Sequence, residues 1–237
     1  MTAFALFDPP GGAARRWLQA VDIDALTASE IEAGRRLFAG EWRFVAGAGS
    51  AQSLPPPARI EIALAGRSNA GKSSLLNALT GRLSLARVSK TPGRTQQINF
   101  FSGGGDLVIA DLPGYGFASA PRGNIRRWTG LVRDYLGKRA NLARVFVLID
   151  SRHGVKPQDR EVFDFLDRAA MSYAVVLTKI DAIKAECQSR VAETEAALKL
   201  RPAAFPTVFA VSSHETTGIA ELRGAIARLM AERGARV

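Results

Sequence analysis

The chain has 237 residues, enough for one α/β domain of ordinary size plus an extension. Hydrophobic residues make up 47% and charged residues 23%, which excludes a disordered chain; no apolar run approaches the roughly 18 residues of a membrane span, and the single cysteine, Cys187, excludes an intrachain disulfide. A formal net charge of +10 favours a polyanionic partner: RNA, DNA or an acidic membrane surface.

Met1 to Pro10 has neither the basic start nor the apolar stretch of a signal peptide, so the chain is expected in the cytoplasm. Residues 1–57 read as an N-terminal extension. They contain Pro9-Pro10-Gly11-Gly12 and two short amphipathic stretches, Arg15 to Val21 and Ser29 to Phe38. A stiff Pro55-Pro56-Pro57 closes the extension. Ser29 with Glu32 forms a candidate capping box for the second stretch, and Trp42 to Val45 is a candidate strand docking on the main domain.

Residues 58–237 alternate between strand and helix patterns. Ile60 to Ala65 is a buried-strand run before a Gly-rich turn, and Lys72 to Thr80 is helical. Gln97 to Phe101 and Leu107 to Ala110 flank Gly103-Gly104-Gly105-Asp106, a hairpin signal. Helices are predicted over Ile125 to Arg139, Gln158 to Ala169, Ile183 to Leu200 and Ile219 to Glu232. Strands are predicted over Val145 to Asp150, Tyr173 to Leu177 and Pro206 to Val211. Repeated β-α units imply an α/β fold: a mostly parallel sheet of six or seven strands with one antiparallel hairpin strand, and helices on both faces.

Gly66-Arg67-Ser68-Asn69-Ala70-Gly71-Lys72-Ser73 matches the phosphate-loop pattern in its required context, after a strand and opening a helix. Glycines let backbone N–H groups close around phosphate oxygens, and the helix N-terminus adds partial positive charge. Lys72 is expected to reach the β- and γ-phosphates and Ser73 to ligate Mg²⁺. This loop alone does not choose between ATP and GTP. Thr178-Lys179-Ile180-Asp181 does more, because a carboxylate at Asp181 can accept from guanine N1–H and the exocyclic amine together, while the stem of Lys179 lies along the base. Backbone N–H groups of Val211-Ser212-Ser213, after the next strand, are candidates for guanine O6.

Asp111-Leu112-Pro113-Gly114 ends a strand. The Asp can hold Mg²⁺ through water, and the Gly114 N–H can sense the γ-phosphate. Lys90 to Gln96 reads as a first switch, in which Thr95, with Thr91 as competitor, completes the Mg²⁺ shell. The residue after Gly114 is Tyr115 instead of the glutamine that positions water in many GTPases, so slow intrinsic hydrolysis is expected. In several GTPases lacking that glutamine, an asparagine at the place of Asn69 helps bind K⁺. Lys72, Asn69, Thr95 and Gly114 are thus the candidate catalytic residues. His153 and His214 fall in loops and have no catalytic pattern. Arg122, Arg126, Arg127, Arg133, Lys138, Arg139, Arg144, Arg152 and Lys156 outnumber the acids around them and suggest an RNA-contacting surface beside the second switch, with Arg15-Arg16 and Arg35-Arg36 as a weaker version.

The phosphate loop, Ser89 to Gln96, Asp111 to Ala118, Thr178 to Asp181 and Ser212-Ser213 together resemble the EngB (YihA/YsxC) family of bacterial GTPases over about residues 41–232. The resemblance implies a Ras-like G domain of the P-loop NTPase type, acting as a GTPase switch in large ribosomal subunit assembly, with a link to cell division and septation. It also implies that Gly93, Arg94, Thr95, Gln96 and Gln97 line the nucleotide, that Ser73 and Thr95 bind Mg²⁺, and that the large subunit or its rRNA is the partner. The chain is expected to be a monomer. Threonine at 178 replaces the asparagine of the general GTPase pattern but is usual in this family. The competing reading is a GTP-dependent RNA-binding module with little turnover.

Overall fold

The computed structural model describes residues 26–57, 60–86, 97–103, 106–115, 130–136 and 139–235. The elements in chain order are α1 (Ala28–Ala39), β1 (Arg43–Ala48), β2 (Ile60–Gly66), α2 (Lys72–Thr80), β3 (Ile98–Ser102), β4 (Leu107–Asp111), a helix α3 described over 130–136, β5 (Leu142–Asp150), α4 (Pro157–Arg168), β6 (Tyr173–Thr178), a 3₁₀ segment (Ile180–Glu186), α5 (Cys187–Leu198), β7 (Phe209–Ala210) and α6 (Ile219–Glu232). One sheet has the order β1-β3-β4-β2-β5-β6-β7. Only β3 runs antiparallel to its neighbours, β1 and β4; the other pairings are parallel.

The period of two along each central strand separates two cores. Ile62, Leu64, Phe146, Leu148, Ala174 and Val176 point to the face covered by α1, α2 and α6. Ala63, Ala65, Val145, Val147, Ile149, Val175 and Leu177 point to the face covered by α3, α4 and α5. Both faces are dry, so β2, β5 and β6 read as continuous apolar runs in the sequence.

The N-terminal elements pack into this frame. β1 pairs with β3, while Trp42, just outside the strand, lies over Gly103, where a Cβ would come 2.1 Å from its ring. α1 crosses α6 at Gly34: a Cβ there would sit 2.5 Å from the backbone of Arg223 and Gly224, so only glycine allows this approach. The cap of α1 corrects the sequence expectation. Thr27, not Ser29, is the N-cap, and Glu30, not Glu32, completes the box. Both frames fit the pattern, and the tertiary contact decides, because Arg228 of α6 binds Glu30 through two hydrogen bonds of 2.6 and 2.8 Å. Glu32 instead pairs with Arg35 on the surface.

Two further boundaries differ. The predicted helix from Ile183 splits into a 3₁₀ segment and α5, with a non-helical residue at Ile183 itself (φ −134°, ψ 36°). The predicted strand over Pro206 to Val211 pairs only at Phe209–Ala210, because it meets β6 solely at Val176 and Leu177. The predicted helix Arg15 to Val21 and the first part of Ile125 to Arg139 lie outside the described residues.

The hydrogen bonds from Arg228, then those from Thr27, hold the Glu30 carboxyl down at about 2. About a quarter of each partner is exposed (27%), so screening limits the pair to about 1 kcal/mol. Because the folded value is depressed, this stabilisation is complete above the unfolded value of 4.5 and fades as pH falls towards 2. Glu30→Gln is expected to lower Tm by about 2–4 °C at pH 7, with the difference from wild type shrinking below pH 4.5 in a thermal melt series.

Candidate functional site

Parallel pairing brings the carboxyl ends of β2, β4, β5 and β6 to one edge, where the loops carrying the sequence motifs meet. Gly66 ends β2 against Leu148, with room for no Cβ, since one would lie 2.9 Å from the Leu148 carbonyl. The loop then turns through two left-handed residues, Asn69 (φ 63°) and Gly71 (φ 95°), and Gly71 is the N-cap of α2. Successive turns of this kind aim backbone N–H groups into one concavity, and the first-turn N–H groups of α2 at Lys72 and Ser73 have no intrahelical partner. Lys72 folds back so that Nζ donates to the Gly66 carbonyl at 3.3 Å. The arrangement is an anion cradle.

Beside it lies Asp111, at the end of β4 and buried. Burial pushes its carboxyl up to about 6, against the pull of the Lys72 ammonium. Burial in turn pushes the Lys72 ammonium down, and Asp111 opposes that shift. Asp111 Oδ1 has no hydrogen-bond partner in the structure. An orphaned carboxylate oxygen beside an anion cradle suits a cation held there. Among the described residues no three His, Cys, Asp or Glu side chains converge. The donor set therefore fits Mg²⁺, which takes one or two protein ligands and fills its shell from phosphate and water. Ser73 is the second residue of α2. Thr95, with Gly93, Arg94 and Gln96, lies outside the described residues; Gln97 precedes β3 and donates to Asn99 Oδ1 at 3.1 Å.

Thr178 ends β6 and is fully enclosed. Its hydroxyl donates to the Ala70 carbonyl at 2.7 Å, tying the Thr178–Asp181 segment to the phosphate loop. Lys179 sits in the left-handed region (φ 59°), and Nζ donates to the Asn69 carbonyl and to Asp150 Oδ2, both at 2.7 Å. Asp150, with Arg152 on its other side, was not singled out by the sequence, although a carboxylate ending a central strand at the ligand edge is a usable signal. Burial raises its carboxyl, but the bonds from Arg152 and Lys179 more than offset this and hold it below the usual range. Asp181 Oδ1 accepts from Ser212 Oγ at 2.6 Å, which fixes one carboxylate oxygen.

One expectation is corrected here. The N–H of Val211 donates to Leu177 O and that of Ser212 to Thr217 O, so neither is available to a base and Ser213 is the member of the trio left for it. Leu112 and Pro113 carry the chain from Asp111 to Gly114, where an added Cβ would come 3.1 Å from the Ser68 backbone and 3.3 Å from Lys72 Nζ. Tyr115 is buried, and its hydroxyl donates to Asp159 Oδ1 at 2.8 Å. Its side chain is therefore engaged by α4.

Residues 61–179 match the family model described as "50S ribosome-binding GTPase", and residues 138–232 match "Elongation factor Tu GTP binding domain". A relative from Bradyrhizobium diazoefficiens, described as "Probable GTP-binding protein EngB", is 57% identical over 213 residues, covering 89% of this chain and 98% of its own. The chain belongs to the EngB family of GTP-binding proteins. A second EngB relative, from Nitrobacter winogradskyi, is 55% identical over 210 residues, covering 87% of this chain and 97% of its own. A solved structure described as that of a probable GTP-binding protein EngB shares the fold, with a TM-score of 0.58 at 24% identity over 73% of this chain and 99% of that one.

The basic surface expected of this EngB chain is reduced. Arg139 is buried, in an ion pair with Glu61 at 3.5 Å and over the ring of Phe100. Arg144 lies 4.1 Å over Phe205, and Arg152 binds Asp150. Arg139 and Arg144 are taken up by partners that sequence charge counting does not see, while Arg152 stays exposed beside Asp150. Arg133 and Lys156 are exposed; Arg122, Arg126, Arg127, Lys138 and the Arg15-Arg16 pair lie outside the described residues. Arg35 and Arg36 are exposed beside Glu32, and His153 and His214 are both exposed. No helix among the described residues is long and apolar enough to cross a membrane.

Thr178→Val keeps the volume and removes the hydroxyl, which donates to the Ala70 carbonyl at 2.7 Å and also reaches the Ile149 carbonyl at 3.3 Å, leaving the Ala70 carbonyl without that donor. Nucleotide affinity is expected to fall about tenfold in a fluorescent-nucleotide titration, the loss of one buried hydrogen bond.

Proposed function

We propose that this protein is a Mg²⁺-dependent GTP-binding switch that hydrolyses GTP slowly and acts in assembly of the large ribosomal subunit. The observation that carries the reading is the cross-linking of the base-reading segment to the phosphate loop, through Thr178 to Ala70 and Lys179 to Asn69, with Asp181 held by Ser212. In this assignment the nucleotide-binding unit is residues 58–237, and residues 1–57 are an extension whose α1 and β1 pack on it. The backbone of Gly66 to Ser73 and the Lys72 ammonium hold the phosphates, Asp181 reads guanine N1–H and the amine, and Ser213 N–H meets O6. Ser73 and Thr95 would hold Mg²⁺ with Asp111 beside it, and the ion would neutralise phosphate charge when bound. Gly114 answers to the third phosphate.

The ribosomal assignment rests on the description of the matching family model, "50S ribosome-binding GTPase", and on the +10 charge. A cytoplasmic monomer completes the reading, and its link to division and septation comes from family resemblance alone. Slow turnover follows from Tyr115, which presents no amide to a water and is engaged by Asp159. Asn69 is the residue that would hold K⁺ beside the phosphates in this reading, and the cation would add positive charge there.

Large-subunit particles are expected to be pulled down by protein loaded with a GTP analogue and not by protein loaded with GDP. Asp181→Asn should lose that capture with the guanosine analogue and regain it with the xanthosine analogue. Capture by wild type in neither state would refute the ribosomal assignment, and unchanged guanosine dependence of the variant would refute the base reader. Turnover in K⁺ buffer is expected to exceed that in Na⁺ buffer, and equal rates would remove Asn69 from the catalytic set.

A further inference from the structure

Asp150 ends β5 at the ligand edge, is buried, and belongs to none of the sequence motifs. Both of its carboxylate oxygens are engaged. Oδ1 accepts from Arg152 Nε at 2.9 Å and from the Arg152 N–H at 3.2 Å. Oδ2 accepts from Arg152 Nη2 and from Lys179 Nζ, both at 2.7 Å. A carboxylate gripped on both oxygens by one planar guanidinium cannot turn, so the direction it offers to Lys179 is fixed. Its backbone is fixed as well: β5 pairs with β6 at Asp150 and Thr178, and the Ser151 N–H donates to Thr178 O at 3.0 Å.

Lys179 is held at both ends. Its backbone is left-handed (φ 59°), a conformation uncommon in a residue with a long side chain. Its Nζ is shared between Asp150 Oδ2 and the Asn69 carbonyl of the phosphate loop, each at 2.7 Å. A free lysine side chain keeps large rotamer freedom; fixed at both ends, its methylene stem is confined to the span between them. That span starts between Thr178, tied to Ala70, and Asp181, held by Ser212. The Lys179 side chain is 32% exposed, so the stem keeps an open side for a ligand, whereas Asp150 is 7% exposed and acts on a ligand through Lys179. Desolvation offsets most of what such a buried pair adds to stability, so its main effect is on geometry.

We propose that Asp150 is a positioning residue for the nucleotide base: it holds Lys179 stretched towards the phosphate loop, so that the lysine stem forms a fixed wall of the base slot, and Arg152 locks it in that role. The proposal rests on the reading of Thr178 to Asp181 as the guanine-reading segment of a GTP-binding protein. The wall serves the base, which the diphosphate and the triphosphate share. Loosening it therefore weakens both nucleotides by the same factor.

The test uses the full chain with fluorescent GDP and a fluorescent β,γ-imido analogue of GTP. Asp150→Asn keeps the shape of the side chain and removes its charge. It is expected to lower affinity for both nucleotides about tenfold, the effect of one charge-assisted hydrogen bond, with their ratio kept within about twofold. Lys179→Met keeps an unbranched stem and removes the ammonium. In that background Asp150→Asn should cost less than about twofold, because the group through which it acts is gone. Arg152→Gln changes a half-exposed side chain and carries the same test if Asp150→Asn fails to fold. Its expected loss is about threefold, again abolished in the Lys179→Met background. A merely structural ion pair would lower Tm and leave both affinities unchanged, or would cost the same in both backgrounds, and either result overturns the proposal. A changed ratio between the two nucleotides would put the effect at the phosphates and overturn it too. If wild type bound neither guanine nucleotide, the GTP-binding reading would fail and the proposal with it. If wild type binds both and positions 150 and 179 show no coupling, that reading stands and the positioning role falls.

Discussion

The site depends on the parallel pairing of β2 with β4 and β5 and of β5 with β6, buried on both faces. The register sets Gly66 opposite Leu148 and Asp150 opposite Thr178, so strands from distant parts of the chain end at one level. Parallel strands require crossover helices, and these cover the faces and leave the carboxyl edge as the place where loops can meet. The phosphate loop, the Asp111–Gly114 turn and the Thr178–Asp181 segment meet there because the strands before them are fully buried and cannot slip without turning apolar side chains to water.

Polar chemistry at that edge follows one pattern. A carboxylate at a strand end or helix start holds a donor from another segment: Asp150 holds Lys179, Asp159 holds Arg67 and Tyr115, and Asp181 holds Ser212. Buried ion pairs recover little net stability once desolvation is counted, so their value here lies in fixing loop geometry. At the opposite end of β2, Glu61 binds Tyr135 and Arg139, anchoring α3 to the sheet with no ligand edge nearby. The same chemistry serves a site at one end and packing at the other, and topology alone separates the two.

The N-terminal segment shows how far packing extends beyond the motif-bearing chain. α1 reaches α6 through Gly34, and Arg223 of α6 lies over Phe38 while donating to the carbonyls of Ala78 and Leu79 at the end of α2. The helix that opens at the phosphate loop is thus closed at its far end by a residue that also contacts α1. This joins the extension to the element that carries Lys72 and Ser73.

The sequence by itself determined the strand and helix alternation, the phosphate loop and its helix over Lys72–Thr80, the last helix and the place of the Thr178–Asp181 tetrapeptide after β6, because each is written in local periodicity or in contiguous residues whose spacing is the chemistry. It also placed β1 to within a few residues. Only the tertiary structure decided the rest. Thr27 displaced Ser29 as the cap because Arg228, about two hundred residues on, binds Glu30. Arg139 left the basic surface because Glu61 lies beneath it. Val211 and Ser212 lost their N–H groups to backbone partners, and Tyr115 was engaged by Asp159. Hydrogen-bond partners far apart in sequence leave no periodicity to read, and burial changes what a charge does without changing the residue that carries it.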